Sequence, residues 1–362
     1  MADSDLPGTE APDALANRAC APDMERENTP SQDPEDIMND KTPAERPARR
    51  DIGDDLALPF TVDTLDVRGR LVRMGRSVNE AIRQHAYPEP VSRLLGEIMA
   101  LSVLLGTSLK FDGKLIVQTR TDGPVNMLVA DFTTPGYVRG LARFDEHAVN
   151  ALSAEEARDP ARLMGTGHLV FTIDQGPNTE RYQGVVALSG SLAEAAENYF
   201  AQSEQIPTRV RLAAGEVSDA TGSGWRAGAA MIQHLPPAAG SRPQEEEEAA
   251  SDNWPRAVAL FDTIEDHEML DPDLSPERLL YRLFHEDGVR VFDPVPVEWR
   301  CNCSREQLLE TIRRFSEEER AAMIENGRIT ATCQFCSATY EFTPEEAGLT
   351  GDATDAQGGD SC

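Results

Sequence analysis

Three observations predict an α+β fold. Strand-like runs follow one another in quick succession between residues 114 and 143, and another pair stands between 168 and 187, with turn signals inside each group. Helical periodicity is confined to a few segments, the strongest at Val91–Thr107. Two close pairs of cysteines stand near the C-terminal end. This order is not a repeating strand–helix alternation, so it points to an antiparallel-sheet core domain with packed helices. A helical, metastable linker and a small C-terminal four-cysteine domain complete the expected architecture.

The elements follow in order. Residues 1–55 contain no Phe, Trp or Tyr, hold seven prolines and carry a net charge of -9 (10 Asp and 5 Glu against 6 Arg or Lys), so they are expected to be a disordered acidic extension. Core domain 56–205 opens with a strand at Leu65–Met74. Ser77-Val78-Asn79-Glu80 has capping-box spacing and opens a short helix. After the helix Val91–Thr107 come strands Lys114–Arg120, Val125–Asp131 and Tyr137–Arg143, with Asp112-Gly113 and Asp122-Gly123 as turns. His168–Asp174 and Tyr182–Ala187 form a further pair around Gly176-Pro177-Asn178, Leu192–Gln205 reads as a helix, and Arg209–Ala213 returns to strand.

From Trp225 the character changes. Trp225–Leu235 reads as a short amphipathic helix ending at Pro236-Pro237. Ala238–Asp252 is a low-complexity acidic insertion containing Glu245–Glu248. Trp254–Ile264 is apolar at helical spacing, and Ser275-Pro276 opens a helix with Leu279, Leu280, Leu283 and Phe284 on one face and Gly288 as its stop. Short helices between acidic loops are marginally stable unless docked. Residues 299–345 form the cysteine domain, and residues 346–362 are expected to be a second disordered tail.

Composition excludes some functions. The 362 residues carry a formal charge of -29, of which -20 remains when residues 1–55 are set aside. Affinity for nucleic acid and for anionic membranes comes mostly from Lys and Arg, so neither is an expected partner. The apolar run Ile98–Leu109 is broken by Ser102, Gly106, Thr107 and Ser108 and falls short of the about 20 residues of a membrane span. No basic start with an apolar stretch marks a secretory signal, so the cytoplasm is the expected compartment.

The cysteines carry the chemistry. Cys20 and Cys362 lie in the expected tails, while Cys301-Asn302-Cys303 and Cys333-Gln334-Phe335-Cys336 form a CxC-x29-CxxC pattern. Two pairs on tight turns bring four sulfurs to one tetrahedron, the closed arrangement of a structural Zn²⁺. No histidine lies between Arg300 and Tyr340 to join them. An iron–sulfur cluster or static disulfides are the alternatives. Ser304-Arg305-Glu306-Gln307 and Ser316-Glu317-Glu318-Glu319 open two short helices, Gly327 is expected to end the second, and strands Arg328–Thr332 and Thr339–Phe342 flank the CxxC turn. So small a unit needs a metal or a disulfide to fold.

Metal-held thiolates are the oxidisable form of cysteine, and each sulfur has a neighbour two or three positions away that resolves a sulfenic acid as a disulfide. Two local disulfides remove all four ligands. The unit then loses its fold, the marginal helices come loose, and exposed apolar surface captures unfolding protein. An inert zinc ribbon is the competing interpretation.

The chain resembles the 33 kDa heat-shock protein family of redox-regulated bacterial chaperones over about residues 57–343. The resemblance is carried by Leu109–Lys114, Asp122–Val125, Gly167–Asp174, Glu194–Phe200, Ser203–Thr208, Arg226-Ala227-Gly228 with Leu235-Pro236, and both cysteine motifs. It implies an ATP-independent holdase, inactive when reduced and zinc-bound. It also implies activation by peroxide or hypochlorous acid with unfolding stress, a metastable linker spanning residues 206–298, homodimers in the active form, and transfer of clients to the 70 kDa heat-shock chaperone system. Carried over, zinc ligation falls on Cys301, Cys303, Cys333 and Cys336. The oxidised pairs are Cys301–Cys303 and Cys333–Cys336, and the CxxC pair responds first. The extension 1–55 and the insertion 238–252 depart from the family pattern.

A structural zinc-ribbon module for RNA or ribosomes is the second reading, against which the acidic charge counts. An enzyme is a third, but no nucleophile, acid and base are grouped. His85, His147, His168, His234, His267 and His285 are scattered, and Gly165-Thr166-Gly167 is too short for a phosphate loop.

Overall fold

In the computed structural model, the described residues are 54–176, 179–219, 222–235 and 252–349. The expected N-terminal extension up to residue 53, most of the acidic insertion and the last residues of the tail lie outside them.

Two sheets enclose one helix. In the first sheet, β1 (Leu56–Val62), β2 (Val67–Met74), β8 (Thr208–Asp219) and β9 (Gly222–His234) run in the order β1-β2-β9-β8, antiparallel throughout. Short strands β10 (Arg290–Val291) and β11 (Val295–Pro296) add to the free edge of β1. In the second sheet, β3 (Lys114–Thr121), β4 (Met127–Thr133), β5 (Tyr137–Arg143), β6 (Gly167–Asp174) and β7 (Tyr182–Leu188) run β5-β4-β3-β6-β7. Strand β12 (Glu298–Trp299) pairs parallel to β5 at that sheet's edge.

Helix α2 (Glu89–Ser108) lies between the sheets, and Leu94, Leu95, Ile98, Met99 and Leu101 to Leu105, Ser102 excepted, belong to one apolar cluster with residues of both. Its closest approaches need glycine: a Cβ on Gly96 would stand 2.7 Å from the Ala214 Cβ, and one on Gly106 2.2 Å from the Phe132 ring. By length and composition this helix passes for a membrane span, against the expectation from the broken apolar run. Yet 78% of its most apolar window is buried in the protein, as befits a core helix apolar all round.

The short helix α1 (Arg76–Arg83) forms as expected, but not through a Ser77 capping box. The Asp55 carboxylate accepts from the backbone N–H of Gly75, Arg76 and Ser77 at 3.0, 3.0 and 2.9 Å. An acidic residue placed in the expected extension is thus the cap of the first helix. Strand β1 escapes sequence reading because Pro59 interrupts it; Pro59 has no N–H to give, and its carbonyl accepts from Phe292 at 3.0 Å.

The helix expected at Trp225–Leu235, and with it a helical linker from residue 206, is corrected. Thr208–Asp219 and Gly222–His234 are the paired antiparallel strands β8 and β9 of the first sheet. Ala227, Ala229 and Met231 pack towards α2, while Ala230 and Ile232 pack on the opposite face. A strand buried on both faces shows no alternation and cannot be told from a buried helix by period. Two short helices, α3 (Glu146–Asn150) and α4 (Pro160–Met164), lie between β5 and β6, and the helix expected at Leu192–Gln205 is α5 (Leu192–Tyr199) followed by a π turn to Glu204.

The outer face of the first sheet is covered by residues 253–284. Helices α6 (Asn253–Phe261), α7 (Asp266–Leu270) and α8 (Pro276–Phe284) bury Ala257, Phe261, Met269, Leu279, Leu280, Leu283 and Phe284 against Leu58, Phe60, Leu71 and Ile232. Ser275 caps α8 by accepting from the Arg278 N–H, as its position predicts.

Candidate metal centre

The four-cysteine unit is a three-stranded sheet with two helices. Ser304 caps α9 (Arg305–Arg313), and Ser316 with Glu319 closes a full capping box on α10 (Glu317–Ala322). Contrary to the expectation from sequence, Gly327 does not end that helix, which closes at Ala322. Asn326 and Gly327 take φ of 51° and 77° in the hairpin turn between β13 (Ile324–Glu325) and β14 (Arg328–Thr332). Strand β15 (Thr339–Phe342) pairs with β14, and both match the predicted limits. The unit's own apolar cluster is small: Ile312, Ile329, Phe342, Ala347 and Leu349. Ala347 and Leu349 fall in the expected disordered tail from residue 346, so the packed unit extends to residue 349. The reason is local: Glu346 pairs with Arg305 at 2.9 Å and anchors the turn.

Both cysteine loops are placed by backbone hydrogen bonds. The CxC loop leaves β12, where the N–H groups of Glu298 and of the following Arg300 donate to the carbonyls of Gly136, just before β5, and Val138 within it, at 2.9 and 3.0 Å. The CxxC loop is a tight turn: Ser337 donates to the Cys333 carbonyl and Cys333 to the Ala338 carbonyl, both at 2.9 Å, with Ser337 at φ 55°.

These loops bring all four predicted ligands together. The sulfurs of Cys301, Cys303, Cys333 and Cys336 lie within 4.8 Å of one another, with Cys301–Cys333 at 3.7 Å and Cys303–Cys336 at 3.4 Å. None is in a disulfide. Zinc–sulfur bonds of 2.3 Å in a tetrahedron separate sulfurs by about 3.8 Å, so this donor set, spread over 3.4 to 4.8 Å, fits Zn²⁺ with shifts of no more than about 1 Å. Four sulfurs with no histidine or carboxylate form a soft, closed set.

Electrostatics differ around the cluster. Burial raises the Cys301 and Cys336 thiols, and their bonds to neighbouring sulfurs add to this at Cys336. Burial also opposes ionisation of Cys303, but donation from Tyr340 Oη at 3.5 Å and from the other thiols brings it down to about 7. Tyr340 in turn is pushed up to about 12 by that bond. Cys333 is buried, whereas the other three are partly exposed. A cleft of about 290 Å³ lined by Asp131, Tyr137, Arg139, Arg300, Cys301 and Cys303 opens the CxC side to solvent.

Sequence reasoning found the four cysteines and missed what surrounds them. Arg139 of β5 approaches Cys301 Sγ to 3.9 Å, donates to Asn302 Oδ1 at 2.8 Å and stacks 3.9 Å from the Phe335 ring centre. Arg143 donates to Gln334 Oε1 at 2.8 Å, and Ser337 to the Gln84 carbonyl at 3.0 Å. His85 Nε2 lies 3.3 Å from the Phe335 carbonyl oxygen, making it a docking residue and not a ligand. Contacts across more than 160 sequence positions leave no sequence signal; only Tyr340, in the strand predicted beside the CxxC turn, was locally placed to be found.

Comparison with known proteins supplies the wider context. The family model described as Hsp33 protein matches residues 55–343. A 33 kDa chaperonin of Caulobacter vibrioides is 46% identical over 297 residues, covering 81% of this chain and 96% of the relative. One of Ectopseudomonas mendocina is 38% identical over 291 residues, covering 80% and 92%. The crystal structure of a 33 kDa chaperonin, a heat shock protein 33 homolog from Thermotoga maritima, superposes with a TM-score of 0.66 at 25% identity, over 81% of this chain and 97% of that one.

Proposed function

The chain belongs to the Hsp33 family of chaperones, and on that footing we propose that it is a redox-regulated, ATP-independent holdase. The observation that carries the proposal is the four-sulfur cluster, set in a unit with little core of its own. Cys301, Cys303, Cys333 and Cys336 hold one Zn²⁺ in the reduced state. The ion keeps the sulfurs as thiolates and supplies the fold that five buried residues do not.

A hydroperoxide is the oxidant. A thiolate attacks its terminal oxygen, giving a sulfenic acid and one hydroxide or alkoxide. The neighbouring thiolate then attacks the sulfenic sulfur, forming the disulfide and releasing hydroxide. Each disulfide thus costs the cysteines two electrons and removes two ligands. Cys301–Cys303 and Cys333–Cys336 are the pairs, with the CxxC pair the first to respond. With both formed, no charged sulfur is left to retain a dication.

The covering helices supply the output. Residues 252–298 are the metastable linker, and α6–α8 cover Leu58, Phe60, Leu71 and Ile232. Their release bares that face for unfolding client proteins. The active form is a homodimer in the cytoplasm that passes clients to the 70 kDa heat-shock system. Nucleic acid is no partner, in keeping with the charge of -29.

The test uses reduced, zinc-loaded protein. Peroxide at raised temperature is expected to release zinc to a chromogenic chelator and, in the same samples, to start suppressing aggregation of a test protein without ATP. Zinc release with no suppression leaves a structural zinc ribbon and defeats the proposal.

A further inference from the structure

All three nitrogens of the Arg139 guanidinium donate, and their acceptors are shared between the core sheet and the CxC loop. Nε and Nη2 donate to Asp131 Oδ2 on the neighbouring strand β4 at 2.9 and 2.7 Å. Asp131 is only 5% exposed, and Lys114 Nζ stands 3.7 Å from the same oxygen. Asp131 therefore fixes the plane and direction of the guanidinium. Nη1 is left to face the CxC loop, where Asn302 Oδ1 at 2.8 Å and Cys301 Sγ at 3.9 Å take its two hydrogens. The CxxC loop lies over the flat face, with the Phe335 ring centre 3.9 Å away. One core side chain thus touches both motifs, and it reaches a ligand sulfur.

We infer that Arg139 is a positioning residue for the metal site, which holds both cysteine loops on the core sheet by responding to the charge on Cys301 Sγ. This rests on the zinc reading above. Four thiolates around a dication carry two net negative charges, and a guanidinium donating to one of them makes a charge-assisted hydrogen bond. Cys301 joined to Cys303 is a neutral, poor acceptor. Oxidation therefore removes the charged partner of Nη1 in the same step that removes the ligand, and the contact between metal unit and core weakens with it. Arg143 provides the internal control: it holds Gln334 of the CxxC loop but no sulfur is among its hydrogen-bond partners.

The experiment uses the full chain, reduced and loaded with zinc or with cobalt as a spectroscopic substitute. Arg139→Met is expected to pass zinc to a competing chelator about tenfold faster than the parent, the size of one charge-assisted hydrogen bond. It is also expected to shift the sulfur-to-cobalt charge-transfer band. Arg139→Lys keeps a cation near Cys301 and is expected to recover the band in part but not the zinc retention, because lysine can neither stack nor form the Asp131 fork. Arg143→Met should leave the band in place. An unchanged zinc-transfer rate in Arg139→Met overturns the inference, as does an equal band shift in Arg143→Met. A parent protein that binds no metal defeats the zinc reading itself, a distinct outcome.

Discussion

Arg73, on strand β2 and 1% exposed, donates through Nη1 to the main-chain carbonyl of Leu274 at 2.7 Å, across 201 positions of sequence. Its Nη2 reaches the Asp271 carbonyl, and the neighbouring Arg226 donates to the Leu270 carbonyl at 2.6 Å. Asp54 is their counter-ion, 3.6 Å from Arg73 and 2.5 Å from Arg226. Two core arginines thus hold the chain that follows α7 by its backbone, and the apolar contacts of α6 and α8 flank this polar clasp. The covering segment is thus attached both by this clasp and by the apolar cluster it shares with the first sheet.

Arg73→Met removes one half of the clasp, leaving the Leu274 and Asp271 carbonyls without their guanidinium donor while Arg226 keeps Leu270 and Asp54. A hydrogen bond to a charged group contributes about 1.5–3 kcal/mol, and the loss falls on residues 253–284. In reduced protein, these residues should become sensitive to limited proteolysis while β3 to β6 stay resistant. Equal resistance in variant and parent contradicts this.

Phe284→Ala tests the apolar half of the attachment. Phe284 is fully buried, with its ring centre 6.0 Å from that of Phe60. Large-to-small replacement of a buried Phe costs about 3–5 kcal/mol. The variant should bind an apolar dye before any oxidant is added, with its zinc still in place. Dye binding equal to that of the parent contradicts the assignment of α8 as the cover.

Glu97 on α2 gives a pH dependence. Burial raises its carboxyl, Arg93 opposes, and Asp266 of α7 adds to the rise, placing it at about 7. The folded protein therefore binds this proton more tightly than the unfolded chain. Its contribution is complete below the ordinary value of 4.5 and is lost as pH rises through about 7. Glu97→Gln should be more stable than the parent at pH 8 by about 1–2 kcal/mol, discounted for partial exposure, and equal to it near pH 4. Thermal melts at the two pH values decide; the same difference at both contradicts the account.

Removal of metal by chelator under reducing conditions should unfold residues 301–349 and leave the two large sheets intact, since that unit has only five buried residues in its own apolar cluster. Exchange of the β14–β15 amides reports it directly. Protection that survives chelation shows that the metal is not what folds the unit.

Legibility from sequence tracked how local the determinants are. Ser275, Ser304 and Ser316 announce their helices because a cap is an interaction over three residues. The limits of β5, β14 and β15 were equally plain from alternation and turns. Strand β9 was not, because Ala229 faces α2 and Ala230 faces the covering helices, so no polar face marks the period. At the metal centre, four cysteines in two motifs named themselves. Arg139 did not, because nothing within strand β5 distinguishes an arginine that meets solvent from one that meets Cys301 162 residues away.

Hydrogen exchange of the full chain, compared between the reduced zinc-loaded and the peroxide-oxidised states, tests the central claim most directly. The account predicts that oxidation strips protection from residues 253–284 and 301–349, while α2 and β3 to β6 keep theirs, in the samples that suppress aggregation. Suppression of aggregation with residues 253–284 still fully protected contradicts it.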